Sequence, residues 1–445
     1  VDVRALFFDG AVDIAHPPLP EREIVMENVS VLHRIAKAPT LPEFVQRRVD
    51  KFHNERVAID WGGRHILRGR QPTDADLMLQ SNDYLAIAGH PAIVEAQREA
   101  LASGGLGMMM SALFQQHADD PLHRVEAELA RAVGSEDGIL AQSGFAANVG
   151  LIQSIAGERV PVYVDMLAHA SLWEGIRSAG ARAVSVLHND MTHLERQVMR
   201  NGPGVIVVDA VYSTNGSVAP LVEIAQVAHD HGCVLVVDES HSLGTHGVRG
   251  EGLVASLGLH HRVHFVTASL AKAYCSRAGF IACTTAFKDY FGCEALPAIF
   301  SSSLLPHELA GLSASHRVIQ SEGWRRQRLR QVTRRVRSEL TELGYPIADG
   351  TEQIVAFEAG VEILTGHVRD VMERHGVFGS VFSAPATTVN RSLLRLTLNA
   401  GMSDDDVERL IEVCRVARDA MDLPSWSATR RSTREAARSP SAEVA

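Results

Sequence analysis

Asp238, His241, Ser269 and Lys272 have the types and spacing to do chemistry together. An apolar run over residues 234–237 ends on Asp238 in VLVVDESHSLGTHG, and His241 follows three residues on. A second β-branched run, VHFVTAS, delivers Ser269 and then Lys272. This places an acid, an imidazole and an amine at the ends of neighbouring strands. Taken singly, each reads as part of a structural ion pair at a sheet edge. A metal site is disfavoured, because the set lacks ligand spacing and a buried ammonium repels a cation. His260, His261 and His264 form an HHxxH cluster between a helix and a strand, which reads as a solvated loop rather than a zinc site. The nucleophile elbow GxSxG of serine hydrolases is absent. The chemistry that uses all three residues is that of pyridoxal 5'-phosphate, with the lysine as covalent anchor and the acid keeping the pyridine nitrogen protonated so that the ring withdraws electrons.

Such residues must be carried by elements that bring strand ends together. Short runs of Val and Ile over 160–164, 183–187, 205–208, 233–237 and 263–268 alternate with helical stretches; three of them lead directly into Asp165, Asp209 and Asp238. Runs with few polar interruptions suit strands buried on both faces, so the fold class is α/β with a mostly parallel central sheet. Ligands of such sheets bind beyond the carboxyl ends of the strands. Helices are expected over 43–56, 92–102 and from Leu122 to a stop at Gly134. A long helix or two follows over 304–343, and another helix lies over 404–421. Strands over 354–357, 377–382 and 393–398 belong to a smaller C-terminal α+β domain. The division expected is an extension over 1–40, a helical segment over 41–80, a large domain over 81–320, a small domain over 321–424 and a polar, basic, disordered tail over 425–445.

With 445 residues, 46% hydrophobic and 22% charged, the chain can bury a large core. Its formal net charge of −10 argues against nucleic acid as a partner. Five cysteines without a CxxC pair read as buried free thiols of a reducing compartment. No apolar run is long enough for a membrane span, and the expected location is cytoplasmic.

With these residues in view, the chain resembles the α-oxoamine synthases, fold-type I pyridoxal phosphate enzymes that condense an amino acid with an acyl-CoA. The resemblance spans roughly residues 41–422 and places the cofactor in the large domain. It implies that Lys272 anchors the cofactor and then acts as base, that Asp238 pairs with the ring nitrogen, and that His241 bonds the ring hydroxyl. It implies that His169, in DMLAHASLWEG, stacks on the ring and that Ser213, in VYSTNG, lies near it. Ser143, Gly144 and Phe145, opening SGFAAN, correspond to the phosphate loop, with Ser269 as a further phosphate ligand. Ser302, in FSSSLLP, corresponds to a residue that reaches the cofactor phosphate of a partner subunit, which implies a homodimer with shared sites. Arg395, in LRLTLN, corresponds to the holder of the substrate carboxylate, and Asn82, in SNDYLA, lies where the amino acid binds. Ser240 stands where many members carry Ala, and Met108, Met109 and Met110 replace a GSR-type segment. In these and in QSNDYLA, DAVYSTNG and TASLAKAY the chain is similar to quorum-sensing (CqsA-like) autoinducer synthases. That branch implies a long-chain α-aminoketone product from a medium-chain acyl-CoA and S-adenosylmethionine or 2-aminobutyrate. The segment 108–114 is then either an acyl channel or core. The alternatives are another α-oxoamine synthase, of the 8-amino-7-oxononanoate, 2-amino-3-ketobutyrate or sphingoid-base type, or an aminotransferase.

Overall fold

The computed structural model describes residues 39–438 apart from Gln116 and Ala118, with side chains described as far as Thr433. The extension expected over 1–40 therefore lies outside the described residues except for its last two. The N-terminal helix runs over Glu43–Lys51, in a first unit that ends at Glu55. From Arg56 the chain is one unit that holds two principal sheets, each with its own core. Among the described residues no helix is long and apolar enough to cross a membrane.

The larger sheet has seven strands: β1 (Asp137–Ala141), β2 (Pro161–Asp165), β3 (Arg182–Val186), β4 (Val205–Asp209), β5 (Val234–Asp238), β6 (Phe265–Ser269) and β7 (Gly279–Cys283). Their spatial order is β1-β7-β6-β5-β4-β2-β3. Every pair is parallel except those of β7, which runs antiparallel to both β1 and β6. The connection from β6 to β7 covers only residues 270–278, too short for a parallel crossover, so the chain reverses. Neither β1 nor β7 is among the runs of Val and Ile read from the sequence: DGILA and GFIAC are short, each carries a glycine, and neither contains valine. β4 is buried along its whole length and β5 nearly so, as strands covered on both faces must be. Separate apolar clusters, one holding Ile206 and Leu235 and the other Val207 and Val236, show that alternate side chains feed the two sides of the sheet.

The smaller sheet is antiparallel: β8 (Ile354–Gly360), β9 (Ser380–Phe382) and β10 (Ser392–Thr397), with β10 in the middle. The long helical region is two helices, Pro306–Ser321 and Gly323–Glu342. Two expectations change here. Leu77–Met78, placed in the helical segment, pairs in parallel with Val377–Phe378, and Leu77 and Leu79 join the core of the smaller sheet. The tail is not disordered as far as it is described: Trp426 is fully buried and a helix runs over Ser427–Arg438. Its basic composition is used locally, as Arg431 pairs with Glu358 on β8 at 2.8 Å and with Asp349 at 2.8 Å. Residues 439–445 lie outside the described residues. Cys233, Cys283 and Cys414 are buried free thiols and Cys275 is partly buried, but Cys293 is exposed on the helix Thr285–Glu294.

Candidate active site

The carboxyl ends of β4, β5 and β6 meet the N-terminus of the helix Gly144–Ile155 around a cavity of about 180 Å³. Its lining includes Ser143, Gly144, Phe145, His169, Asp238, His241, Ser269 and Lys272, eight of the residues singled out from the sequence. Ser213, Asn82 and Arg395 lie next to it and Ser302 lies apart.

Parallel register sets the floor. Asp209 on β4 is the register partner of Asp238 on β5, and Asp238 is that of Thr267 on β6, so the side chains of this row project from one face. Asp238 Oδ2 accepts from Asn148 Nδ2 at 2.7 Å, and Oδ1 accepts from the Ser240 amide at 2.8 Å. Each oxygen keeps a lone pair for a further donor. Asn148 also donates to Ser171 Oγ at 2.9 Å. Asp209 is pushed well above the ordinary carboxylate value, first by burial and then by the charge of Asp238. Its Oδ1 accepts the amide of His169 at 3.1 Å. His169 caps the helix Ala170–Ser178, and its ring is open to the cavity. Surrounding protein lowers its pKa, an effect that the charge of Asp238 opposes.

Lys272 is partly buried, with Nζ 3.5 Å from Ser269 Oγ. Burial lowers its pKa, Asp238 opposes this and Arg395 adds to it. His241 is buried and held neutral, first by desolvation and then by the positive charges of Lys272 and Arg395. Arg395, in the middle of β10, donates from Nη1 to the Ser213 carbonyl and from Nη2 to Asn82 Oδ1, both at 2.8 Å. Its Nε is buried without an acceptor. Ser213 thus meets this arginine through its backbone. Ser302 is exposed; its carbonyl accepts from Gln142 Nε2, and it pairs with Ser111 in an isolated bridge.

The lining fits pyridoxal phosphate. The amides of Gly144 and Phe145 open a twelve-residue helix and have no acceptor among the described residues, which makes an anion seat. Ser143 Oγ caps the Ala146 amide at 3.1 Å. Gly144 must be glycine, because an added Cβ would come within 2.5 Å of Ser269 Cβ. The seat, the free lone pairs of Asp238 and a lysine amine face one space, as a phosphorylated pyridine aldehyde requires.

Three residues of the site were not singled out from sequence, and Ser240 was noted only as a departure from the family's Ala. Asp209 ends an apolar run just as Asp238 does, and that was its signal. Asn148 closes SGFAAN, Ser240 follows the signature acid, and Tyr84, in SNDYLA, contacts His241. The segment 108–114 is divided: Met108, Met109 and Phe114 are 66–76% exposed, whereas Ala112 packs against the core and, with Leu113, lines a cavity of about 310 Å³ separate from the one at Lys272. His260, His261 and His264 are exposed, and His264 Nδ1 accepts the Leu235 amide at 3.1 Å. Among the described residues no group of three or more His, Cys, Asp or Glu side chains is placed to hold a metal.

The family model for aminotransferase class I and II matches residues 75–413. The chain is 43% identical over 387 residues to the CAI-1 autoinducer synthase of Vibrio campbellii, covering 87% of this chain and 98% of that protein. It is 32% identical to the 8-amino-7-oxononanoate synthase of Cellvibrio japonicus, covering 75% and 84%. Among solved structures, serine palmitoyltransferase of Sphingomonas wittichii is 25% identical with a TM-score of 0.76 over 87% of this chain and 100% of that one. A serine palmitoyltransferase from S. paucimobilis with pyridoxal phosphate bound is 25% identical with a TM-score of 0.76, covering 85% and 98%.

Proposed function

From a chain that belongs to the aminotransferase class I and II family, in its α-oxoamine synthase branch, we infer a pyridoxal phosphate-dependent acyltransferase that condenses an amino acid with an acyl-CoA and releases carbon dioxide. The observation that carries this reading is the convergence of Lys272, Asp238 and the amides of Gly144 and Phe145 on one cavity, with Arg395 beside it. When bound, the cofactor supplies an electron sink for carbanion chemistry at the amino acid's Cα. Gly144, Phe145, Ser143 and Ser269 hold its phosphate, Asp238 its ring nitrogen and His241 its ring hydroxyl, and His169 covers its face. Lys272 is the anchor, and burial, which lowers its pKa, favours the neutral amine that takes the Cα proton. The Arg395 fork, with its orphaned Nε, holds the substrate carboxylate.

The resemblance to the CAI-1 autoinducer synthase supports a long-chain α-aminoketone of the autoinducer type as product, from S-adenosylmethionine or 2-aminobutyrate. A groove of about 590 Å³ beside His169 has Met166, Trp173, Pro385 and Leu393 for apolar walls, with Arg177, Glu358 and Arg391 also in its lining, and is the place proposed for the acyl group. A homodimer is supported by exposed apolar side chains on the two segments that pair at Ser111 and Ser302: Met108, Met109 and Phe114 on one, and Phe300, 80% exposed, on the other. The location proposed is the cytoplasm.

The test is incubation of purified protein with each amino acid and a panel of acyl-CoAs, with free thiol, carbon dioxide and ketone measured. Thiol release with a ketone of summed chain length is expected, and Lys272→Ala should lose both this activity and the visible absorbance of bound cofactor. Amino-group exchange without thiol release would make the protein an aminotransferase.

A further inference from the structure

His241 faces the cavity with one ring nitrogen and the protein with the other. Nδ1 lies 2.5 Å from the hydroxyl of Tyr84, whose ring centroid is 5.9 Å from that of His241. Nε2 has no protein partner among the described residues, and His241 lines the cavity. A neutral imidazole carries one proton, and the nitrogen that holds it is set by the hydrogen bond at the other.

We propose that Tyr84 is a positioning residue for His241, its hydroxyl donating to Nδ1 so that the imidazole proton sits on Nε2 and points into the cavity. This rests on the reading that His241 serves the cofactor's ring hydroxyl. The direction of the bond follows from the acceptors in reach. Tyr84 is fully buried, and burial keeps its phenol protonated. Among the described residues its only other partner is Asn82 Oδ1 at 3.4 Å, which also accepts Arg395 Nη2 at 2.8 Å. Were Nδ1 the donor, the phenol proton would face that long contact and Nε2 would offer the cavity a lone pair. The phenol is itself fixed. The Tyr84 carbonyl accepts the Ala400 amide at 2.8 Å, and Asp83 caps the turn after it through the amides of Ile87 and Ala88, each at 2.9 Å. The same turn therefore sets the tautomer through Tyr84 and steadies the carboxylate-holding Arg395 through Asn82.

The test combines a spectrum with a double-mutant cycle on the holoenzyme. Nitrogen-15 NMR of histidine-labelled protein, with the His241 signal assigned by its loss in His241→Gln, should show the proton on Nε2 in wild type and a tautomer mixture in Tyr84→Phe. Tyr84→Phe should lower kcat about 10-fold, the worth of one buried hydrogen bond, with little change in KM for the amino acid. In the His241→Gln background the same change should cost less than about twofold. A wild-type proton on Nδ1, or losses that add fully, would overturn the proposal, and the wild-type spectrum decides even if Tyr84→Phe folds poorly. A His241→Gln enzyme with unaltered turnover and cofactor absorbance would instead remove the role of His241 itself, and this inference with it.

Discussion

Asp209→Asn should stabilise the protein by an amount that grows with pH. Asp209 and Asp238 are register partners on adjacent strands, both buried, with their carboxyl groups on one face. Two such groups cannot both ionise cheaply, and burial, reinforced by the charge of Asp238, holds Asp209 protonated well above its ordinary value of 3.8. The folded chain therefore keeps a proton that the unfolded chain releases above that value. Stability from this site is complete below 3.8 and is lost as pH rises, by about 1.4 kcal/mol per pH unit until the folded-state value is reached. Asparagine has nearly the same shape, still accepts the His169 amide and does not titrate. The variant's advantage should thus rise with pH, by at most about 1.4 kcal/mol per pH unit, and level off once Asp209 ionises in the folded chain. Urea unfolding of both proteins at pH 5, 6 and 7 measures it. Parallel stability curves would refute the argument, because they would mean that Asp209 titrates alike in the folded and unfolded chains.

Two further substitutions probe other parts of the structure. Asn148→Leu removes the side-chain donor to Asp238 Oδ2, a hydrogen bond to a charged group worth about 1.5–3 kcal/mol. Exchange of the amino acid's Cα hydrogen in heavy water, without acyl-CoA, should slow by roughly 10- to 150-fold; an unchanged rate would mean that Asp238 acts without this partner. Trp426→Ala should cost about 3–5 kcal/mol of stability by urea titration, since the indole is fully buried against Tyr345 and Phe357 and donates to the Met421 carbonyl at 2.8 Å. An unshifted midpoint would show that the C-terminal helix adds nothing to the core.

Lys272, Asp238 and Ser269 were legible because strands of Val and Ile announce themselves and a polar residue at their carboxyl end has few places to go. The residues that escaped are those whose role depends on register or helix phase. Asp209 ends its run as plainly as Asp238, yet only the pairing of β4 with β5 places the two carboxyl groups side by side. Asn148 lies one turn inside the helix that Ser143 caps, and four residues of helix bring its amide back over Asp238. The tail escaped because its composition is polar and basic and a single aromatic does the anchoring: Trp426 fills the core while Arg431, which looks like part of a solvated run, pairs with Glu358 and Asp349.

The hidden part of the site and its chemistry have the same origin. The residues proposed to face the cofactor come from the larger sheet and its helices, whereas Arg395 comes from β10 of the smaller one, and the turn at Asn82 and Tyr84 touches both sets. On the reading proposed for Arg395, an incoming carboxylate shares the guanidinium with Asn82 and Ser213: Nη1 and Nη2 each spend one of two N–H groups on them, and Nε has no acceptor among the described residues. The carboxylate would then lie beside the Asn82 contact, one residue from the Asp83 caps that hold Tyr84 in place. Because Asn82 is a hydrogen-bond partner of the arginine proposed to hold the substrate, changes at Asn82 should alter KM for the amino acid before they alter cofactor retention.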